Sequence, residues 1–464
     1  MASAQNSGRE LVESTVSVEK IKSHIYFLAS DALRGRDTGS QELKIAAEYL
    51  KTQLMGYGIG MAPGMDSYLQ PVKMLRQKQA SGGHLRLKDV DLSLAKDLVI
   101  IKGGNGMLKG DFVYVNYGME EDFKKANVEG KIAIAVCGDG ESQQPFGWFG
   151  LTGGKRERAK AAGALALVEL YTSRQMPWNV LKGYFSSGDR VMLADENEQS
   201  GEEELPHLWA NYSSETLQKA VKAGKGEMEI EVDGMEKHYF DSYNVVGYLE
   251  GSDPELKDQV VMYSAHYDHV GVGRADATGD TIYNGARDNA TGTVTVLSAA
   301  ENLGKAPTAR SALFVFFTGE EKGLLGSDWF ARHPAIPLQS VVYCFNSDNA
   351  GYNDTSVATI IGLERTTAAA EIKKACEAFG LQATDDPAPE QGLFDRSDNV
   401  NFAKKGVPAP TFSLGFSAFD EEIGRYYHQP GDQADNLDYE YLEKFFKSYV
   451  YAARLIGNMA AKPF

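Results

Sequence analysis

Apolar runs that break off at acidic, glycine-flanked loops constrain this chain more than any other feature. Within residues 264–327 the sequence reads SAHYDHVG, then NGARDNATG, then ALFVFFTGEEKGLLGS. A short apolar run without polar alternation reads as a strand covered on both faces, because a solvated face would place a polar residue at every second position. From residue 241 onward such runs alternate with helical patterns. The strands SYNVVGYLEG and DQVVMYSAH precede the helix TGTVTVLSAAENLG, the strand ALFVFFT precedes the helix GLLGSDWFARH, and the strand SVVYCFNSD precedes the helix TTAAAEIKKACEAFG. The strand PAPTFSLG and the helix YEYLEKFFKSYVYAARLIGNMAA close the chain. This succession predicts an α/β fold, a three-layer α/β/α sandwich around a mostly parallel mixed sheet. Ligands of such sheets gather beyond the carboxyl ends of the strands, and His266, Glu320 and Asp348 each follow one.

Upstream, MASAQNSGRE reads as a polar tail, and LASDALRGRDTGS reads as a loop turning at Gly35 and Gly39. In ELKIAAEYLKTQLMGYGI, Leu43, Ala46, Ala47, Leu50 and Leu54 recur at helical spacing, so an amphipathic helix is expected there. DSYLQPVKML follows as a strand. Between residues 77 and 239 the texture changes to short buried strands, DLVIIKG, GDFVYVNYG and GKIAIAVCGDG, with KRERAKAAGALALVELY as a helix and then a strand. A discontinuous domain, 1–76 with 240–464, interrupted by a smaller β-rich α+β domain at 77–239, is the organisation expected. His84, His207 and His238 have no ligand-like neighbours in sequence and read as ordinary surface or core histidines.

Charge narrows the partners. The 64 acidic side chains outnumber the 47 Lys and Arg, for a formal charge of -17. Nucleic acid and anionic membrane surfaces require clustered positive charge and are disfavoured as main partners. No run has the roughly 18 consecutive apolar residues of a membrane span. Cys137, Cys344 and Cys376 are too dispersed for a disulfide framework or thiolate metal site. The first ten residues lack a signal peptide's basic and apolar regions, so the protein is either cytoplasmic or exported, periplasmic or secreted, with its signal removed, and export is the expectation. The sequons at Asn211, Asn289 and Asn353 read as chance matches, since a glycan on Asn289 would lie against the loops described next.

Those loops carry metal-ligand chemistry. His266 offers a ring nitrogen at a strand end, and Asp268, two residues on, is placed to orient the ring through its other nitrogen. Asp288, in a glycine-rich loop entering a helix, has two oxygens with which to bridge two cations. Glu320 and Glu321 diverge as neighbours, so either both ligate or one ligates while the other faces the attacking water. Asp348, in FNSDNAG, and His428, in YYHQPGDQAD, complete two histidines and three carboxylates around two metals, each receiving one histidine, one terminal carboxylate and a share of Asp288. Nitrogen and oxygen donors with an open position fit catalytic zinc. There is no GxSxG elbow to suggest a nucleophilic hydrolase.

The motifs SAHYDH, NGARDNATG, FTGEEKGLLGS, FNSDNAG and YYHQPGDQAD, with SDNVNFAKKGVPAPTFSLG and LASDALRGRDTGS, resemble the co-catalytic di-zinc aminopeptidases, relatives of glutamate carboxypeptidase and the transferrin receptor. The resemblance covers about residues 17–76 and 240–464, and the block between, with VEGKIAIAVCGDG and RAKAAGALALVEL, resembles a protease-associated domain. It implies two Zn2+ ions, His266 and Asp348 on one, Glu321 and His428 on the other, Asp288 bridging, and a cis peptide from Asp288 to Asn289. It further implies peptide substrates cleaved at the first residue, with Glu320 as general base and Tyr426 or Tyr427 near the oxyanion. Ser397 and Asp398 are followed by Asn399 where the family often has histidine. Glutaminyl cyclase, carboxypeptidase and receptor-like proteins share this fold; Arg274, Arg287, Arg396 and Arg425 near the loops keep a carboxypeptidase among the alternatives, while the complete ligand set argues against a receptor.

Overall fold

The computed structural model describes residues 2–141, 145–186, 189–194, 205–213, 215–224 and 226–462. The chain forms two compact units, Met1–Met74 with Phe240–Phe464, and Leu75–Tyr239.

The first unit contains strands β1 (Leu69–Lys78), β2 (Glu236–Leu249), β3 (Val260–His266), β4 (Ser311–Phe317), β5 (Val341–Ser347), β6 (Val357–Ile361), β7 (Gln382–Thr384) and β8 (Thr411–Leu414). They lie in the order β7, β6, β8, β5, β3, β4, β2, β1. β8, β5, β3 and β4 run parallel as successive neighbours, while β6 against β8 and β2 against β4 are antiparallel, so the sheet is mixed with a parallel centre. Its longer helices are α1 (Ala2–Thr15), α2 (Val18–Leu28), α3 (Gln41–Gly56), α4 (Gly292–Lys305), α5 (Leu325–Arg332), α6 (Ala369–Ala378) and α7 (Tyr439–Gly457).

Both faces of the central strands are buried, as their unalternating sequences predict. On β4, Ala312, Phe314 and Phe316 enter one core, shared with Leu50 of α3, Leu297 of α4 and Tyr449 of α7. Leu313, Val315 and Phe317 enter the opposite core, with Phe330 of α5 and Phe402. At about 1.5–3 kcal/mol for each large side chain removed from water, these two layers dominate the unit's stability. α3 begins where Ser40 Oγ accepts the Leu43 amide, and it buries Leu43, Ala46, Ala47, Leu50 and Leu54 as its periodicity predicts. The first residues differ from the expected polar tail: they form α1. Its last turns are anchored through buried Val12 and through Thr15 Oγ1, which accepts from Asn302 Nδ2 at 2.8 Å.

The second unit is built on one sheet whose neighbours run 90–93, 82–87, 227–233, 106–114, 132–136, 166–171, 207–211 and 98–102. Its interior holds a polar cluster. Glu169 accepts from Lys155 Nζ, from His207 Nε2 at 2.7 Å and from Trp209 Nε1 at 3.1 Å, with every one of these groups buried. His207 is therefore a core histidine. Burial pushes the Glu169 carboxyl upward, but His207 and Lys155 outweigh it and hold it below its ordinary range. A depressed folded-state value makes this contribution complete above the ordinary carboxylate pKa and loses it as pH falls through the depressed one. Glu169→Ala strands a buried lysine and is expected to cost about 3–5 kcal/mol. Thermal melting of the full chain checks this; an unchanged transition would deny the cluster a stabilising role.

All three cysteines are free and buried. Among the described residues, no helix is long and apolar enough to cross a membrane.

Candidate metal centre

Parallel neighbours deliver the site. β3 ends at His266 and β5 at Ser347, so His266 and Asp348 leave the sheet at one edge, and the turn after β4 brings Glu320 and Glu321 to the same edge. Their backbones are tied together there. Tyr267 N donates to Phe317 O at 3.0 Å, and Thr293 Oγ1 donates to His266 O at 2.7 Å.

Two further loops are held against this edge by buried side chains to which no sequence motif assigns a role. The Arg36 guanidinium, 1% exposed, donates to Tyr267 O at 2.8 Å, Asn284 O at 2.7 Å, Gly285 O at 3.0 Å and Leu28 O, clamping the Asp288 loop to the loop after β3. Asp432, in the loop of His428, accepts from Arg287 N at 2.9 Å, Asp288 N at 3.2 Å and Arg287 Nη1 at 3.0 Å. Asn289 Nδ2 donates to Ser347 O at 2.9 Å, tying the same loop to the end of β5, and the Asp288–Asn289 peptide is cis. Gly285 has φ of 59°, and a Cβ there would lie 2.2 Å from Asp288 O, so this turn admits only glycine.

The five side chains expected to ligate metal converge, and the two oxygens of Asp288 face different histidines. Oδ1 lies 3.4 Å from His266 Nε2 and Oδ2 lies 3.1 Å from His428 Nε2. His266 Nε2 is also 3.2 Å from Asp348 Oδ1, and His428 Nε2 is 3.0 Å from Glu321 Oε2. Two donor groups result: His266, Glu320 and Asp348, and His269, Asp288, Glu321 and His428, the atoms of each within 4.8 Å of one another. His269 is the addition; its Nδ1 lies 2.6 Å from Glu321 Oε1.

Asp268 is buried beside this set, but the oxygen nearest His266 Nδ1 is its main-chain carbonyl at 3.2 Å, with the carboxylate at 3.8 Å. That carboxylate instead accepts from Glu320 N at 3.2 Å and Thr38 Oγ1 at 2.8 Å. With Nδ1 donating to a carbonyl, His266 presents an Nε2 lone pair to Asp288 and Asp348, the tautomer a ligand needs.

The electrostatics suit cations. Burial alone would lower the His266 pKa, yet Asp348, Glu320 and Asp288 hold it well above its ordinary value. Burial likewise opposes protonation of His428, but hydrogen bonds to Asp288 and Glu321 bring it up to about 10. Buried carboxylates thus draw positive charge to two points, one beside each histidine. Dense oxygen and imidazole donors fit two divalent cations.

A cleft of about 590 Å³, open to solvent, adjoins His266, Asp288, Glu320, Asp348 and His428, and Ile361, Leu393, Phe416 and Phe419 give it an apolar wall. Tyr427 lines the cleft and stacks on His428 at 4.1 Å. Tyr426 instead lies under the Arg287 guanidinium at 3.8 Å. Of the arginines close to these loops in sequence, Arg396 lines the cleft, whereas Arg287 is occupied by Asp432 and Asn436. Asn399 Nδ2 is used by the carbonyls of Phe394 and Ala409, each at 3.1 Å.

The model of Peptidase family M28 matches residues 244–453, which include every side chain of both donor groups. That stretch, residues 244–453, is the part of the chain that matches family M28. The chain is 24% identical over 378 residues to the probable leucine aminopeptidase 2 of Aspergillus oryzae, covering 75% of this chain and 66% of that one. It is 25% identical over 333 residues to aminopeptidase YwaD of Bacillus subtilis, covering 70% and 62%. It thus spans less than two thirds of the length of these curated relatives. Among solved structures, the aminopeptidase from Aneurinibacillus sp. strain AM-1 superposes with a TM-score of 0.60 at 20% identity, over 98% of this chain and 97% of that one. BSAP, a zinc aminopeptidase from Bacillus subtilis, gives 0.50 at 20% identity, over 96% and 97%. At these identities the structures share the M28 fold.

Proposed function

We propose that this M28 chain is a zinc-dependent aminopeptidase that hydrolyses the first peptide bond of peptides. The observation that carries the reading is Asp288, whose two oxygens address histidines from two different loops, the arrangement a shared carboxylate between two cations requires. His266 and Asp348 would hold one ion and Glu321 and His428 the other, with Asp288 placed to serve both. Bound there, the two zinc ions would polarise the scissile carbonyl and lower the pKa of the attacking water. Glu320 takes the proton from that water and returns it to the leaving amine. Without metal, burial pushes its carboxyl well above the ordinary range, with Asp348, Glu321 and Asp398 adding to the push against His266; divalent cations beside it would bring it back down toward the range of a working base. Asp268 fixes the Glu320 peptide by accepting from its amide, and the apolar wall of the cleft receives the substrate's first side chain. The second unit is read as an inserted protease-associated-like domain, since the chain leaves the first unit after Met74 and returns at Phe240.

Metal analysis with a panel of amino-acid anilides tests this. Two zinc ions per chain and anilide hydrolysis abolished by a chelator are expected. One zinc with no anilide hydrolysis would favour a cyclase, and no metal a non-catalytic protein.

A further inference from the structure

We propose that His269 is a positioning residue that sets the orientation of Glu321 toward the metal centre, without being a ligand itself. The inference rests on the two-cation reading above. Glu321 divides its oxygens: Oε2 faces His428 Nε2 at 3.0 Å, and Oε1 turns to His269 Nδ1 at 2.6 Å. Nδ1 is thereby committed to a hydrogen bond on the oxygen turned away from His428. Nε2, the other candidate ligand atom, is buried with no hydrogen-bond partner among the described residues.

The ring's place is built into the fold. His269 is fully buried, its amide donates to Arg36 O at 3.1 Å, and its ring meets that of His428 edge-on at 5.5 Å. A Cβ on residue 285 would lie 2.6 Å from the ring carbons, so Gly285 makes room for this side chain as well as for its own turn. A free glutamate samples several rotamers; tethering one oxygen leaves the other aimed at a single point, and partners that orient a metal's ligands in this way typically govern affinity. This is the usual histidine–carboxylate pairing inverted: the histidine orients, and the carboxylate ligates.

Titration of the apo protein with Co2+, followed by the visible absorption of each occupied position and by competition with a chelator, tests the role. His269→Ala is expected to keep a stoichiometry of two while weakening one position about 10- to 100-fold. His269→Asn, whose amide Nδ2 sits near the place of Nδ1, is expected to restore most of that affinity. An equivalent of cobalt lost altogether in both variants would make His269 a ligand and overturn the proposal, as would two wild-type affinities in His269→Ala. Wild-type protein that takes up no cobalt would instead remove the two-cation reading and this inference with it. Circular dichroism on both variants separates a misplaced carboxylate from a misfolded chain, and a fold lost in the alanine variant leaves the asparagine variant, with affinities within a few-fold of wild type, as the deciding comparison.

Discussion

Glu320→Gln is expected to leave zinc content at its wild-type level while lowering kcat by about two to four orders of magnitude, the usual worth of a positioned general base. Glutamine matches the side chain in shape but cannot accept a proton. The effect should fall on kcat because the change spares what surrounds it. The amide that places the side chain still donates to Asp268 Oδ1, and the five proposed ligands keep their contacts. Glu320 itself stands off from His266, its Oε2 4.0 Å from Nε2, a longer separation than any between that nitrogen and Asp288 or Asp348. The variant therefore tests whether the adjacent pair Glu320 and Glu321 really divides its labour. If kcat stays near wild type, Glu320 is not the base; if zinc falls to one per chain, it is a ligand and the division between the two glutamates fails.

How much of this fold and site is legible in the sequence depends on the kind of force each residue answers to. The apolar runs at 260–266, 311–317 and 341–347 declare strands buried on both sides, and a polar residue at the end of such a strand has nowhere to lie but the sheet's edge. That is why His266 and Asp348 stand out in the bare chain. Asp288, Glu321 and His428 stand out through the donor chemistry of their glycine-flanked loops and through motif resemblance, since no periodicity speaks for a loop. Arg36, Asp432 and His269 are hidden for a shared reason. Each acts by hydrogen bonds to groups far along the chain, Arg36 to residues around 284 and Asp432 to the amides of 287 and 288, and hydropathy carries no trace of such pairings. A signal does exist for His269: it stands in the same short exit from β3 as His266 and Asp268, where a third titratable side chain in SAHYDH has no apolar face to fill. The short strands β6 and β7 are obscure for a different reason, being segments near the sheet's edge too brief to show a pattern.

Asp288→Ala should have the largest effect on metal content, because it alone removes a donor from both positions. Asp348→Ala takes a partner only from the His266 side, where the distance is 3.2 Å, and Glu321→Ala only from the His428 side, at 3.0 Å. Each of those is expected to leave one tightly held ion. Loss of Asp288 leaves His266 and His428 each with a single carboxylate among the proposed ligands, and a cation held by one nitrogen and one oxygen has too few protein ligands for a stable zinc site. Zinc measured after gel filtration is therefore expected to fall well below one per chain, with hydrolysis lost in parallel. The Asp288 loop does not depend on this carboxylate for its shape: Arg36 holds it from one side, Asp432 binds its amides from another, and Asn289 ties it to β5. Asp288→Asn checks that independence, since an asparagine keeps the volume while giving up one of the two anionic oxygens. Graded loss is expected across the variants at position 288 and its neighbours, with the asparagine variant between the single-site changes and Asp288→Ala. Two zinc ions retained in Asp288→Ala would mean that each position closes without a shared carboxylate, and the separation of Oδ1 and Oδ2 between the two histidines would then be a feature of packing and not of metal binding.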